Sequence, residues 1–187
     1  MQTEFHGLTF VTEPGRVFSP RATTEKLVDA ALARLGDAPA RVADVGTGSG
    51  VVAITLALRA PQVEVWASDT CGDALRVATA NAERLGAQVH VVRGDLLDGL
   101  PRNLDLIVAN LPYLAPGTPG YDGEPEAAVY SSGDGLDHYR RLLSGAADHL
   151  AEGGGVILQF GGQVLEAERS ELPWLRTQLE SLVAAAA

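Results

Sequence analysis

The chain has 187 residues, 46% of them hydrophobic, and its 14 Lys and Arg against 24 Asp and Glu give a net charge of -10. This length predicts one domain over residues 1 to 187, with a cover segment at 1 to 22 and a C-terminal helix and tail at 172 to 187. The acidic balance, without a basic stripe, disfavours a nucleic-acid partner. No apolar run reaches the roughly 20 residues of a membrane span, and no basic stretch followed by an apolar one indicates an export signal, so neither is expected. With one cysteine and four scattered histidines, we expect a cytoplasmic protein without disulfides or a metal site.

Strand and helix patterns alternate along most of the chain. Residues 5 to 18 favour a short hairpin or irregular cover around Pro14-Gly15, and Thr23 or Thr24 is expected to cap an amphipathic helix. The elements predicted downstream are strands over 41–45, 63–68, 88–93, 104–110 and 155–160, and helices over 50–59, 73–85, 137–150 and 163–171. Such alternation predicts a doubly wound α/β fold, in which a mostly parallel sheet carries helices on both faces.

A glycine-rich turn, Gly46-Thr47-Gly48-Ser49-Gly50, follows the apolar strand 41 to 45. Glycines allow the backbone to approach a ligand closely, and the helix N-terminus that follows favours negative charge. The dinucleotide fingerprint has Gly or Ala three residues after its second glycine, where this chain has Val51, so dinucleotide binding is disfavoured. Taken alone, the turn fits either a ligand site or an ordinary tight connection.

Carboxylates follow the next two predicted strands. Asp69 lies at the tip of the strand 63 to 68, where its side chain can accept both hydroxyls of a ribose. Gly94-Asp95-Leu96 ends the following strand, where Asp95 can accept a hydrogen bond from an adenine amine while Leu96 covers the ring. Ligands of doubly wound sheets bind beyond the carboxyl ends of the strands, where the strand order reverses. The sequence therefore predicts that these residues converge on one crevice.

The tetrapeptide Asn110-Leu111-Pro112-Tyr113 closes the strand 104 to 110. An amide or exocyclic amine nitrogen has a delocalised lone pair, so a site that methylates it needs acceptors for the N–H groups and an aromatic face. The Asn110 carbonyl, the Pro112 backbone carbonyl and the Tyr113 ring supply these parts, although a strand ending in Asn-x-Pro is also an ordinary turn. The Gly- and Pro-rich segment 111 to 133 is predicted to be a long active-site loop.

In this order, the motifs resemble those of a class I S-adenosylmethionine-dependent methyltransferase. More narrowly, the chain resembles the HemK/PrmC family of protein-glutamine N5-methyltransferases, which modify the glutamine of peptide-chain release factors. Two further segments carry the narrower resemblance. They are Val17-Phe18-Ser19-Pro20-Arg21-Ala22-Thr23-Thr24-Glu25, and Glu124-Pro125-Glu126 followed by Gly133-Asp134-Gly135-Leu136-Asp137-His138-Tyr139-Arg140-Arg141. The resemblance covers roughly residues 16 to 163.

The resemblance implies S-adenosylmethionine as cofactor, S-adenosylhomocysteine as product, and a protein glutamine as methyl acceptor. It assigns catalysis to Asn110, Pro112 and Tyr113, and the rim of the substrate pocket to Arg21 and Glu124. Each rim residue also has a purely structural interpretation. Arg21 can be an arginine at the entry to a helix, and Glu124 can be a surface carboxylate. The cofactor-binding residues that it implies are Asp44, Gly46, Thr47, Gly48, Gly50, Asp69, Asp95, Leu96 and Asn110.

Two departures keep other functions open. Leu111 stands where the family usually has proline, and Asn-Leu-Pro-Tyr also occurs in rRNA adenine dimethyltransferases. Bacterial family members also carry an N-terminal helical domain that holds the release factor, and the residues before Glu4 are too few to encode one. The alternatives are methyl transfer to a nucleic-acid base or a small molecule, and a non-catalytic cofactor-binding module.

The C-terminal part is short for this fold. Class I methyltransferases normally end in a strand hairpin, whereas after Gln163 this chain shows mainly a helical pattern and an alanine tail. The hairpin is therefore expected to be missing, which would leave an apolar edge on the strand 155 to 160, a feature that natural proteins avoid. We expect this edge to be covered by a second copy, by residues 5 to 18 or by a helix over 174 to 183. A homodimer is favoured because two-fold pairing satisfies both chains.

Overall fold

The chain folds around a six-stranded central sheet and a separate two-stranded hairpin. The computed structural model describes residues 1 to 119 and 121 to 186. The strands are β1 Gln2–Phe5, β2 Leu8–Val11, β3 Ala40–Val45, β4 Val63–Asp69, β5 Val89–Arg93, β6 Leu104–Ala109, β7 Leu150–Phe160 and β8 Gln163–Glu168. The helices are α1 Ala22–Leu35, α2 Val51–Arg59, α3 Gly72–Leu85, α4 Glu126–Val129, α5 Asp137–His149 and α6 Leu172–Ala186, and a 3₁₀ turn Arg169–Glu171 precedes α6. No helix of the described residues is long and apolar enough to cross a membrane.

The order of strands in the sheet is β5-β4-β3-β6-β7-β8. Strands β3 to β7 pair in parallel with their neighbours, and only β8 is antiparallel. The predicted doubly wound α/β fold is confirmed. The strand order reverses between β3 and β6, and Val45 pairs with both Ser68 and Ala109. The residues that follow these three positions therefore lie side by side at one edge of the sheet.

Each face of the sheet carries its own core. Along β6, Leu106 and Val108 pack into the core under α1 and α2, while Ile107 and Ala109 pack into the core under α5 and α6. This alternation is the two-residue period of a strand that is buried on both faces. Every one of these four side chains is fully buried.

The N-terminal cover is a hairpin, but its turn lies elsewhere than predicted. Strands β1 and β2 pair across His6 and Gly7, which have φ angles of 50° and 73°, whereas Pro14-Gly15 lies beyond β2. Two consecutive residues with positive φ suit the right-handed twist of a two-residue hairpin. Phe5 of this hairpin is buried in the same core as α1 and α2.

The predicted cap of the first helix is wrong. Helix α1 begins at Ala22 with Arg21 as its N-cap, and no side chain among the described residues caps it. Thr23 and Thr24 lie inside the first turn, where their hydroxyl groups receive hydrogen bonds from Gln159 and Asn110. The threonines therefore connect the helix to the ends of β7 and β6.

The C-terminal prediction also needs correction. Residues 163 to 168 form a strand, not part of a helix over 163 to 171, and β8 pairs with β7 from Phe160–Gln163 to Gly155–Glu168. Strand β8 of the same chain therefore covers the edge of β7. None of the three predicted candidates covers it. The expected homodimer through this edge lacks its physical reason, because the N–H and C=O groups that would have bound a second copy are already paired.

Candidate active site

A cavity of about 510 Å³ opens at the carboxyl ends of β3, β4, β6 and β7. Its size is typical of small-molecule sites. Eleven of the predicted site residues line it: Arg21, Asp44, Gly46, Thr47, Gly48, Asp69, Asp95, Leu96, Asn110, Pro112 and Tyr113. Gly50 and Glu124 are not part of the described lining. The structure thus brings nearly the whole predicted set into one crevice.

The glycine-rich turn is fixed by the strand beside it. The amides of Gly46 and Thr47 both donate to the Ser68 carbonyl at 2.9 Å, and the Gly48 amide donates to Asp69 Oδ2 at 2.9 Å. Gly46 has a φ of 74°, and a Cβ there would lie 2.7 Å from Leu111 Cδ2. A side chain at this position would therefore clash with the tetrapeptide.

Gly50 acts in packing and not in lining the cavity. A Cβ at this position would lie 2.9 Å from Ile54 Cδ1 and 3.0 Å from Ala78 Cβ. Ile54 belongs to α2 and Ala78 to α3. The missing side chain therefore lets the two helices approach each other below the turn.

Asp44 is a buried carboxylate at the floor of the cavity, only 2% exposed. Its Oδ2 accepts hydrogen bonds from Thr47 Oγ1 at 2.7 Å and from the Ala53 amide at 3.2 Å. Burial raises the pKa of Asp44 to about 6, and the nearby charge of Asp69 acts in the same direction. Asp44 thus couples the glycine turn to the start of α2.

Asp69 uses both of its oxygens to hold the backbone, and it keeps room for a ligand. Oδ2 accepts from the Gly48 amide and Oδ1 accepts from the Cys71 amide, each at 2.9 Å. A carboxylate offers about four lone-pair positions, so about two remain for further donors. The Asp69 side chain is partly exposed and lines the cavity, so a ligand in the cavity can use these lone pairs.

Asp95 and Leu96 lie at the end of β5, as predicted. Asp95 Oδ2 accepts a hydrogen bond from Arg141 Nη2 at 2.5 Å, which ties this corner to α5. Leu96 has a φ of 54°, and its carbonyl accepts from Ser68 Oγ at 2.9 Å. This unusual backbone conformation for leucine brings its partly buried side chain to the cavity wall.

Asn110 is oriented by α1. Its Nδ2 donates to Thr24 Oγ1 at 3.2 Å, and Thr24 is itself buried. Its Oδ1 receives no hydrogen bond from any described residue. Because the amino group is held by the threonine, the carbonyl oxygen is the side of the amide left to accept a hydrogen bond in the cavity.

Tyr139 is a site residue to which the sequence analysis gave no role. Its fully buried hydroxyl accepts from the Leu111 amide at 3.2 Å and donates to the Gln159 carbonyl, so it bridges the ends of β6 and β7. Burial raises its pKa well above the ordinary value. A proline at position 111 would lack the N–H that Tyr139 receives. In sequence, Tyr139 stands inside the block 133 to 141 that resembles the family's, and this block is the signal that could have singled it out.

The rim of the cavity joins the N-terminal segment to the loop 111 to 133. Glu124 accepts from the Ser19 amide at 3.0 Å and lies 3.5 Å from Arg21, with its side chain only 10% exposed. The Arg21 guanidinium lies 5.2 Å and 4.8 Å from the ring centroids of Phe18 and Tyr121. Glu124 is thus a largely buried anchor and not a free surface carboxylate, and Arg21 is stacked between aromatic rings.

Tyr113 projects from the tetrapeptide toward the end of β7. Its ring lies 5.0 Å from that of Phe160. Burial, followed by the nearby Tyr121 hydroxyl, raises the pKa of Tyr113 to about 12. The side chain therefore stays a neutral aromatic surface at physiological pH.

The sequence profile of the methyltransferase small domain matches residues 7–122, and the chain belongs to this family. Its relatives include proteins named release factor glutamine methyltransferase. The relative from Bordetella pertussis is 42% identical over 179 residues, covering 90% of this chain and 65% of its own length. The relative from Neisseria gonorrhoeae is 44% identical over 166 residues, covering 84% of this chain and 60% of its own length. The predicted resemblance to the HemK/PrmC family is confirmed.

Solved structures share the fold. A methyltransferase from Pyrococcus furiosus superposes with a TM-score of 0.65 at 20% identity, covering 95% of this chain and 79% of that one. The ribosomal protein L11 methylase from Lactobacillus delbrueckii subsp. bulgaricus gives a TM-score of 0.56 at 27% identity, covering 74% and 60%. The chain itself spans only 54% to 65% of the length of the curated relatives it matches.

Replacing Tyr139 with Phe should lower the free energy of unfolding by about 1–3 kcal/mol, because the Leu111 N–H and the Gln159 C=O lose their buried partner. Urea denaturation measures this loss. Tyr130→Phe is the matched control, since the Tyr130 hydroxyl donates to the Thr118 carbonyl at 2.9 Å in a partly exposed position. Equal losses in the two variants would contradict the bridging role of Tyr139.

The pKa of Asp44 predicts a pH dependence of stability. Because burial raises this pKa from 3.8 to about 6, the folded state binds a proton more tightly than the unfolded state. The resulting stabilisation is present below the unfolded pKa and is lost as pH rises through about 6, a change of about 3 kcal/mol. Urea denaturation from about pH 4 to pH 7 should show this loss in the wild type and not in Asp44→Asn. Parallel pH profiles would show that Asp44 does not titrate in this range.

Proposed function

We propose that this chain is a methyltransferase domain that transfers a methyl group from S-adenosylmethionine to the side-chain amide of a glutamine in a peptide-chain release factor. The observation that carries the proposal is the orientation of Asn110 by Thr24, which leaves a carbonyl oxygen beside Pro112 and Tyr113 in the cavity that also holds Asp69. The names of the relatives support the choice of acceptor. Because release factors act on ribosomes, this function implies a cytoplasmic location.

The residues of the cavity fit the cofactor. The two lone-pair positions that Asp69 keeps suit the two hydroxyls of a ribose, and hydrogen bonds to a charged acceptor are among the stronger ones. The glycine turn leaves its backbone open to a ligand, and the buried carboxylate of Asp44 at the floor favours a positively charged group nearby. Asp95 and Leu96 offer an acceptor and an apolar surface for a base. When bound, S-adenosylmethionine supplies a methyl group made electrophilic by its sulfonium.

The chain's own contribution to the reaction is positioning. Asn110 Oδ1 and the Pro112 carbonyl accept the two N–H groups of the acceptor amide, which directs the nitrogen lone pair toward the methyl group. The neutral ring of Tyr113 packs on the amide plane. Such orientation is worth about 7 to 11 kcal/mol of barrier in well-aligned reactions, so no general base has to act before the methyl group moves.

The rim provides the contact with the protein substrate. Arg21 lies at the mouth of the cavity and is exposed, and Glu124 fixes both Arg21 and the Ser19 backbone. The exposed guanidinium offers donors to backbone carbonyls or carboxylates of an incoming segment. We assign Arg21 to substrate binding and Glu124 to the support of Arg21.

The cofactor site is tested by Asp69→Ala. Loss of a charged hydrogen-bond acceptor should weaken S-adenosylmethionine binding by roughly 1.5 to 3 kcal/mol, measured by calorimetric titration. Asp73→Ala removes a neighbouring carboxylate that pairs with Arg76 on the surface, and it should bind the cofactor as the wild type does. Unchanged affinity in Asp69→Ala would remove Asp69 from the site.

The transfer reaction is tested with methyl-labelled S-adenosylmethionine and a purified release factor. Label should enter the release factor, and a release factor in which the modified glutamine is replaced by glutamate should remain unlabelled. Asn110→Ala should abolish most turnover while cofactor affinity changes little, because Asn110 contacts the acceptor and the transition state. Label that enters RNA or small molecules of a cell extract, and not the release factor, would overturn the proposed acceptor. Full turnover by Asn110→Ala would overturn the role of Asn110.

A further inference from the structure

A second carboxamide lies next to Asn110 at the end of the neighbouring strand. Ala109 of β6 pairs with Leu158 of β7, so Asn110 and Gln159 occupy the following positions of the same parallel register. Side chains at paired positions of adjacent strands point to the same face of the sheet. Both side chains reach α1, as their hydrogen bonds show.

The two amides are held in the same way. Asn110 Nδ2 donates to Thr24 Oγ1 at 3.2 Å, and Gln159 Nε2 donates to Thr23 Oγ1 at 3.0 Å. Consecutive hydroxyl groups of one helix therefore bind the amino groups of both amides. In each case the carbonyl oxygen is the atom left without a hydrogen-bond partner among the described residues.

Gln159 is the more deeply buried of the two. It is 3% exposed, and its side chain belongs to the wall of the cavity. Its Oε1 is closed to solvent and accepts no hydrogen bond from any described residue. Since an unpartnered buried carbonyl is costly, such a group in the wall of a binding site points to a donor that arrives with the ligand, which has to displace the side chains that close Oε1 to water.

The backbone of Gln159 is fixed as well. Its carbonyl accepts the hydroxyl hydrogen of Tyr139, which also receives the Leu111 amide. The position of Gln159 relative to the tetrapeptide is thus set by one shared hydroxyl group. Neither the backbone nor the side chain is free to turn away from the acceptor site without breaking a hydrogen bond.

We propose that Gln159 is a substrate-positioning residue whose Oε1 accepts a hydrogen bond from the acceptor amide nitrogen, with Thr23 holding the oxygen in place. This inference rests on the proposed function, because it assumes a primary amide as the methyl acceptor. Gln159 Oε1 is then a third acceptor for the two N–H groups of the amide, beside Asn110 Oδ1 and the Pro112 carbonyl. As the nitrogen gains positive charge during transfer, a further carbonyl dipole beside it stabilises that charge.

The test uses capped glutamine, N-acetyl-L-glutamine methylamide, titrated into the protein loaded with S-adenosylhomocysteine and followed by NMR. Gln159→Met keeps the length of the side chain and removes the acceptor, so it should weaken binding of the probe about 3- to 10-fold. Gln159→Glu keeps an acceptor oxygen and should bind within about 3-fold of the wild type. Thr23→Val should weaken binding as Gln159→Met does, because the amide loses the group that orients it.

Two controls separate this role from a structural one. Gln163→Met changes an exposed glutamine at the start of β8 and should leave binding of the probe unchanged. Affinity for S-adenosylhomocysteine should stay near the wild-type value in both Gln159 variants, and the thermal midpoint should stay near it in Gln159→Met. With a release factor as substrate, Gln159→Met should also lower kcat, and Gln159→Glu should restore it.

The outcomes decide between the two proposals. Wild-type affinity of Gln159→Met for the probe, or an equal loss in Gln159→Glu, would overturn the role of the Gln159 oxygen even if the release factor is methylated. Failure of the wild type to bind the probe would overturn it as well. Binding of the probe with the expected pattern, but without methylation of any release factor, would support Gln159 and overturn only the proposed protein substrate.

Discussion

The geometry of the site depends on the buried hydroxyl group of Tyr139. This hydroxyl accepts the Leu111 amide and donates to the Gln159 carbonyl, so it connects the chain just beyond β6 to the end of β7. Strands of a parallel sheet end with free backbone groups, and buried groups of this kind need partners. By supplying both partners from α5, Tyr139 fixes the spacing between the tetrapeptide and its neighbouring strand. The leucine at position 111, where the family usually has proline, fits this arrangement because its backbone N–H donates a hydrogen bond to the Tyr139 hydroxyl.

The first turn of α1 completes the arrangement from the other face of the sheet. Threonines are often used at helix N-termini to cap the helix itself. Here the hydroxyl groups of Thr23 and Thr24 instead accept hydrogen bonds from the side-chain amino groups of Gln159 and Asn110, respectively. Side chains held by rigid elements keep their orientation better than side chains on loops, which suits a reaction that depends on alignment. The site is thus built from two strand ends, with α1 on one face and α5 on the other.

The C-terminal part shows where sequence patterns mislead. Residues 163 to 171 were predicted as a helix because short apolar segments fit either period, and length and flanking residues must then decide. The flanking signal was present in Gly161-Gly162, whose φ angles of 59° and 92° form a two-residue hairpin turn between β7 and β8. Once β8 pairs with β7, Ala167 is buried against Val156, and the apolar edge needs no second chain.

The alternating α/β fold, and the convergence of Asp69, Asp95 and Asn110 at one edge of the sheet, could be predicted from the sequence alone. These follow from local information, because apolar periodicity defines the elements and a parallel sheet brings its carboxyl ends together. The partners that orient those residues could not be predicted in this way. The contacts of Thr23, Thr24 and Tyr139 join positions far apart in the chain. Such contacts arise from the packing of α1 and α5 on opposite faces, and no spacing along the sequence specifies which hydroxyl meets which amide.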